Sequence, residues 1–419
     1  MEKKTHIADG RISDEGEEMR RRQNSSIQGQ RSRAAFAVTC LAAALCFSVL
    51  VPKGMLCAQA APEFARSAEE WDALRDNKLE WSEIPGLVNE YNATVLNNKK
   101  AYQKDSGQDA QEYRNALLDA ADDMDELASQ VEGNGEGGDM TAVQYRIQAE
   151  QLRSSADNNV ADSDVIRWQY SQAEASIVQA VRNDFIGYYQ ALLEKEAGEI
   201  KVPYMEQLLR SAENRKNVGT GTQLEVLEAK ENLQNAQAAL LSADASINSY
   251  KKKMQVLCGW NYEADAEIGA LPEFEADSIL AIDPDADTET ALQNNWQLMI
   301  DTRKLANAPD STLREQYQKT VNTDQQQIRA SVKSAYDSLT LAKTDSDAAK
   351  AELTLKQKNF EKSARQYGLG TISRMEYAAA ENEVKTLENT ARQKELAVFT
   401  AWAAYDSAVN GLASTGGTQ

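Results

Sequence analysis

Residues 226–257 read VLEAKENLQNAQAALLSADASINSYKKKMQVL, and their apolar spacing decides the fold class. Val226, Ala229, Leu233, Ala236, Leu240, Ala243, Ile247, Tyr250, Met254 and Leu257 follow in steps of three and four without a miss. An apolar repeat of 3.5 residues sustained over several heptads specifies helices that wind around a neighbour with a left-handed twist. An ordinary amphipathic helix would drift from this frame over such a length. Alanine at many of the seam positions lets the neighbouring helix come close.

The same frame recurs 151 positions later, as Tyr377, Ala380, Val384, Leu387, Ala391, Lys394, Val398, Ala401, Tyr405 and Ala408, with Lys394 the single polar member. The offset also pairs Ile177 with Ile328, Val181 with Val332, Phe185 with Tyr336, and Gly219-Thr220 with Gly370-Thr371. Shared heptad composition could produce part of this match, but not the matched Gly-Thr break. The chain therefore reads as two tandem copies of one unit, 86–260 and 285–412.

Each seam starts just after a glycine break. The first is Asn217-Val218-Gly219-Thr220-Gly221-Thr222, and the second is Tyr367-Gly368-Leu369-Gly370-Thr371-Ile372-Ser373. Glycine allows the sharp reversal, and Thr222 or Ser373 can cap the helix that follows. Glu225 and Glu376, three residues on, would complete a capping box in each. Each copy is thus expected to be a long helical hairpin with its tip at this turn.

Outward from the hairpins, the first copy reads as a helix over about 86–131, a glycine-rich break at 133–138 and a long arm over 141–216. Asn158-Asn159 and Pro203 are the expected interruptions of that arm. The second copy reads as a helix over about 287–306, the break Ala308-Pro309-Asp310 and an arm over 311–365. Residues 61–85 form an N-terminal segment, 261–284 an acidic, non-periodic connector, and 413–419 a flexible tail. The fold class is all-α, with little or no strand.

Residues 1–60 read as an export signal with a long basic lead. Arg20–Arg22, Arg31 and Arg33 precede the apolar run 34–51, and Ala58-Gln59-Ala60 gives the small-x-small pattern expected before cleavage at Ala61. Met19 is an alternative start, and an uncleaved anchor is the competing reading, because 18 apolar residues can just span a bilayer. The protein is expected outside the cytoplasm, in the cell envelope.

Charge and residue usage remove several classes of function. The chain holds 65 acidic against 45 basic residues, a net −20. So acidic a surface repels phosphate backbones, which argues against nucleic-acid binding. The single histidine is His6, so no imidazole remains for a metal site or a nucleophile pair in the body of the chain. Three of the four cysteines lie at Cys40, Cys46 and Cys57, which leaves only Cys258 beyond the signal. No cofactor, metal or catalytic residue is assigned, and an enzyme is not expected.

With these features together, the chain resembles the TolC-type outer-membrane efflux family. Gly219-Thr220-Gly221-Thr222-Gln223-Leu224-Glu225-Val226-Leu227-Glu228-Ala229 resembles that family's G-T-x-T-x-x-D-V-L-D-A turn, and Gly370-Thr371-Ile372-Ser373-Arg374-Met375-Glu376 its G-T-I-S-x-x-[DE] form. The resemblance covers most of 86–412, through layout more than identity. It implies a homotrimer that forms a tapered helical conduit. It also implies an adaptor of the periplasmic membrane-fusion type, docked on the tips Gly219, Thr220, Gly221, Thr222, Gly368, Gly370, Thr371, Ile372 and Ser373, and an inner-membrane pump. It further implies that Glu225, Glu228 and Glu376 are pore acids, since threefold repetition turns one acid into a carboxylate ring that favours cations. Against this, Glu225 and Glu376 can be mere capping acids and Glu228 a solvated face.

The sequence departs from the family at one place. Members insert a pair of strands between the two helices of each copy and close them into an outer-membrane barrel. A spanning strand needs ~9–11 residues of outward apolar alternation, and none is legible at 133–138 or 308–310. Helix content above ~70% and no spanning strand are therefore expected. The competing function is a coiled-coil spacer or scaffold of the envelope, without transport.

Overall fold

The computed structural model describes residues 66–133, 136–274 and 276–416. The export signal read at 1–60 lies outside the described residues. Helix makes up 84% of the structure. The helices are α1 (Ala68–Arg75), α2 (Ile84–Tyr91), α3 (Ala93–Asp105), α4 (Ala110–Val131), α5 (Glu136–Asp157), α6 (Ser163–Asn217), α7 (Gln223–Leu257), α8 (Pro284–Asn294), α9 (Trp296–Asn307), α10 (Ser311–Gly368) and α11 (Arg374–Ser407). Strand is confined, among the described residues, to β1 (Lys78–Leu79) and β2 (Glu267–Ile268), which pair in parallel and tie the N-terminal segment to the connector. Among the described residues no helix is long and apolar enough to cross a membrane.

The chain divides into two compact units. One comprises Ser106–Ser163 and Lys304–Glu315; the other comprises the remaining described residues.

The first unit is built on the antiparallel pair α4 and α5. Leu117, Ala120, Ala121, Met124, Ala149, Leu152 and Ala156 form its core, and Ala121, Ala149 and Ala156 are wholly buried. Small seam residues bring the two helices together, and charge fixes their register: Arg153 bridges Asp122 at 2.9 Å and Asp125 at 2.7 Å, while Arg146 reaches Glu132 at 2.6 Å. Asp109 caps α4 with a complete capping box. The side chain of Asn307 donates to Asp162 and to the Val160 carbonyl, joining the short second segment to the first. The continuous helix expected over 86–131 is instead divided among α2, α3 and α4. The expected helix is cut at Asn92, which caps α3, and again between Asp105 and Ala110. α4 ends at Val131 and α5 starts at Glu136, so Gly137 and Gly138 of the expected break lie within α5.

The second unit holds the two long pairs, α6 with α7 and α10 with α11. α6 is 55 residues long, roughly 80 Å at 1.5 Å per residue. Every heptad position from Val226 to Leu257 and from Tyr377 to Ala408 is buried or half-buried, Lys394 included. The interruption expected at Asn158-Asn159 is present, because α5 ends at Asp157 and α6 starts at Ser163. The one expected at Pro203 is absent: α6 runs through it. Pro203 and Glu199 both lie on the exposed side, so water can take the Glu199 carbonyl that the proline leaves without an N–H donor.

The core of this unit gathers Trp71, Leu74, Leu79, Ile84, Leu87, Val88 and Val95 against Val181, Phe185, Met254 and Cys258. Burial pushes the Cys258 thiol up to about 12, so it stays a neutral packing group. A second cluster, Ile186, Leu396, Phe399 and Ala403, joins α6 to α11 across the two pairs. Ala413 is buried, and the Ser414 backbone N–H donates to the Ser331 hydroxyl at 3.2 Å.

Candidate hairpin-tip interface

The turns after α6 and α10 share one hydrogen-bond pattern, position by position. In the first, the Val218 N–H donates to the Asn214 carbonyl, Gly219 to Lys216, and Thr220 to Arg215, at 3.1, 3.0 and 2.8 Å. In the second, Leu369 donates to Arg365, Gly370 to Tyr367, and Thr371 to Gln366, at 3.0, 2.9 and 2.9 Å. Both threonine hydroxyls add a bond to the same carbonyl, that of Arg215 or Gln366. Gly219 has φ +77° and Gly370 φ +72°, the left-handed conformation that closes a helix C-terminus and that only glycine adopts without strain. Gly368 lies in ordinary helical space, and Gly221 sits tightly over the Arg215 and Lys216 backbone.

Beyond each turn the next helix is capped. Thr222 accepts from the Glu225 N–H at 3.2 Å. Ser373 accepts from the Glu376 N–H at 3.2 Å, and the Glu376 carboxylate accepts from the Ser373 N–H at 2.7 Å, a complete capping box. These bonds, led by the Ser373 N–H, hold the Glu376 carboxyl below its ordinary value. The first copy makes only half of the expected box. Glu225 turns instead to Arg215, 3.4 Å away across the turn, an ion pair that the sequence reading did not find. Glu228 is exposed one turn further along α7. Ile372 is half-buried.

The Gln207 amide of α6 lies 3.5 Å from the Met375 sulfur of α11, which sets the start of α11 alongside α6 shortly before the first turn. The two turns are thus at the same end of the paired hairpins. Around them apolar side chains stand open: Val218 is 73% exposed and Leu369 79%, with Leu224 and Leu227 more than half exposed. In the second copy Tyr367 stacks on Tyr377 at 4.7 Å, and Phe360 adds a third ring. The seven-residue spacing of Phe360 and Tyr367 is the signal in the sequence that would have found this cluster.

A second asymmetry lies along the seam helices. α11 has two buried faces. Its heptad face meets α10, while a second face packs on α6: Asn389 donates to the Leu193 carbonyl at 2.9 Å, Arg392 pairs with Glu196 at 2.5 Å, and Leu396, Phe399 and Ala403 bury against Ile186. The positions 151 earlier on α7 are Ala238, Leu241, Ala245, Asn248 and Lys252. The first four are exposed, Leu241 to 72%, and Lys252 is half-buried. The α10 positions equivalent to the covered face of α6 include Asp337, Thr344 and Asp347, likewise exposed.

No family model matches the chain, and no match is found among curated proteins. Solved structures do match. CusC, described with conformational changes that accompany folding and transmembrane channel formation, aligns over 86% of this chain and 99% of its own at 11% identity, with a TM-score of 0.51. A membrane protein from Pseudomonas aeruginosa aligns over 79% of this chain and 90% of its own at 11% identity, with a TM-score of 0.52. At these identities the likeness is one of backbone architecture. The chain has the fold of the TolC-type outer-membrane efflux channels.

Proposed function

We propose that this chain is the conduit of an export assembly: a ring of three copies, placed in the cell envelope, whose tips receive an adaptor protein of an inner-membrane pump. The observation that carries this reading is the open face of α7. Its equivalent on α11 is covered within the chain by α6, so the same contact, repeated between copies, would cover Ala238, Leu241 and Ala245 with the outer face of α10 from a neighbour. Such a contact joins unlike surfaces head to tail, and a head-to-tail contact closes into a ring when the rotation permits. The fold of the TolC-type channels supports three copies and a hollow axis.

The tips support adaptor docking through their exposed apolar side chains, since open apolar clusters of this kind commonly mark protein contacts. In a threefold ring Glu228, and Glu225 beside it, would recur as a band of carboxylates at the tip end, and Glu376 as a second band. These acids would favour cations over anions at the entrance. The outer membrane is the envelope layer favoured by fold, and no catalytic step is assigned.

Leu241→Glu tests the ring contact. It places a charge on the open face without touching the heptad seam. The expected outcome is an unchanged circular dichroism spectrum with a lowered mass in light scattering; a variant that keeps the parent's oligomeric mass would contradict the ring contact. An envelope spacer or scaffold predicts a monomer or dimer in the parent chain as well.

A further inference from the structure

Where α6, α10 and α11 meet beside the connector, the second unit holds a cavity of about 430 Å³. Tyr189 and Leu193 of α6, Leu271 and Phe274 of the connector, and Leu396 and Phe399 of α11 form its walls. The rings of Phe274 and Phe399 meet edge to face at 6.4 Å, so much of the wall is aromatic. An apolar space of this size, lined from several elements, has the usual form of a small-molecule site.

The comparison of the two copies shows why the space is open. In the first copy a long side chain, Lys195, spans from α6 to Asp244 on α7 at 2.8 Å. The residue 151 positions later is Ser346, which also lines the cavity. Glu395, the counterpart of Asp244, turns instead to Lys350 at 2.8 Å. Ser346 is 3% exposed, and its hydroxyl has no hydrogen-bond partner among the described residues. A buried hydroxyl left without a partner is costly, and a bound molecule could supply one. The other hydroxyl in the wall is engaged, since Tyr189 donates to the Gly269 carbonyl at 2.7 Å.

Charge at the rim is already balanced. Lys350 is paired with Glu395, and Arg392 with Glu196 at 2.5 Å. A carboxylate ligand would have to displace one of these acids, and an ammonium one of these bases. A neutral molecule does neither. We infer that this cavity binds a small uncharged aromatic molecule with one hydrogen-bonding group, its ring against Phe274 and Phe399 and its polar group on the Ser346 hydroxyl. The site lies within one chain, so it stands apart from the number of copies and from what the tips receive.

1-Naphthol, uncharged at neutral pH, serves as the probe, titrated calorimetrically into the purified full chain. It should saturate a single site per chain. Ser346→Ala removes the hydroxyl and should weaken binding about tenfold, the worth of one hydrogen bond. Ser346→Lys restores the residue of the first copy, and Leu271→Trp fills the space from the connector. Each should abolish binding while the circular dichroism spectrum stays unchanged. 1-Naphthoate, the same rings with a carboxylate, should bind far more weakly. Absence of 1-naphthol binding would overturn the proposal, as would binding undiminished in Ser346→Ala or in both filled variants. Tighter binding of 1-naphthoate than of 1-naphthol would overturn the uncharged class.

Discussion

Asn92 and Asn295 make the same junction at two places in the second unit. Each is buried, 6% and 1% exposed, at a break between two short helices. Asn92 accepts from the Thr94 and Val95 N–H groups at the start of α3 and donates to the Leu257 carbonyl at 2.8 Å, where α7 ends. Asn295 accepts from the Leu298 N–H at the start of α9 and donates to the Ala413 carbonyl at 2.9 Å, just beyond α11. One amide thus caps the following helix and satisfies a carbonyl at the far end of a seam.

Replacing either asparagine by alanine removes the cap and leaves a buried carbonyl unpaired, a loss of roughly 1–3 kcal/mol. Asn→Asp keeps the capping oxygen but sets a carboxylate against the Leu257 or Ala413 carbonyl, so it should not rescue stability. Chemical denaturation of the four single variants checks this. Aspartate variants as stable as the parent would show that only the cap matters.

At the tips, Gly219→Val together with Gly370→Val forces β-branched side chains into positive φ, at roughly 1–3 kcal/mol each. No neighbouring atom lies within 4 Å of either glycine's Cβ direction, so the strain stays in the backbone of the turn. Helix content and oligomeric mass should persist while adaptor binding and export fail. Global unfolding would make the turns structural nuclei, and normal export with bound adaptor would remove the docking role.

The capping box at Ser373 makes the second tip sensitive to acid. The Glu376 carboxyl lies below its ordinary 4.5 because its ionised form is hydrogen-bonded in the fold. A carboxylate with a lowered folded value contributes stability above its unfolded value and loses it as pH falls through the folded one. Amide exchange at the start of α11, corrected for intrinsic rates, should therefore quicken as pH drops below about 4.5. Ser373→Ala should remove most of that dependence. The same pH response in both proteins would show that the box does not hold the turn.

The seams and tips were legible because both are local. A three-four repeat and a Gly-Thr turn declare themselves within a few residues, and the 151-residue offset set the two copies side by side. The α4–α5 hairpin was not recognised, although Leu117, Ala121, Met124 and Ala128 carry the same spacing. Its start could have been read from Gly107 and the Asp109-x-x-Glu112 capping box, whereas the division of α2 from α3 is hidden, because Asn92 stands there with no glycine or proline and its amide bonds to Leu257, 165 positions away. Pro203 misled in the opposite direction, since propensity cannot say that its freed carbonyl lies on a solvated side. The pairing of Glu225 with Arg215 and the open face of α7 depend on tertiary placement, which no local pattern carries.

The most direct test of the account is the number of copies and what they enclose, read by light scattering and single-particle images of the purified protein. Three copies around an open axis, with the tips of α6–α7 and α10–α11 gathered at one end, is the predicted result. A monomer, a dimer or a filled bundle would contradict it.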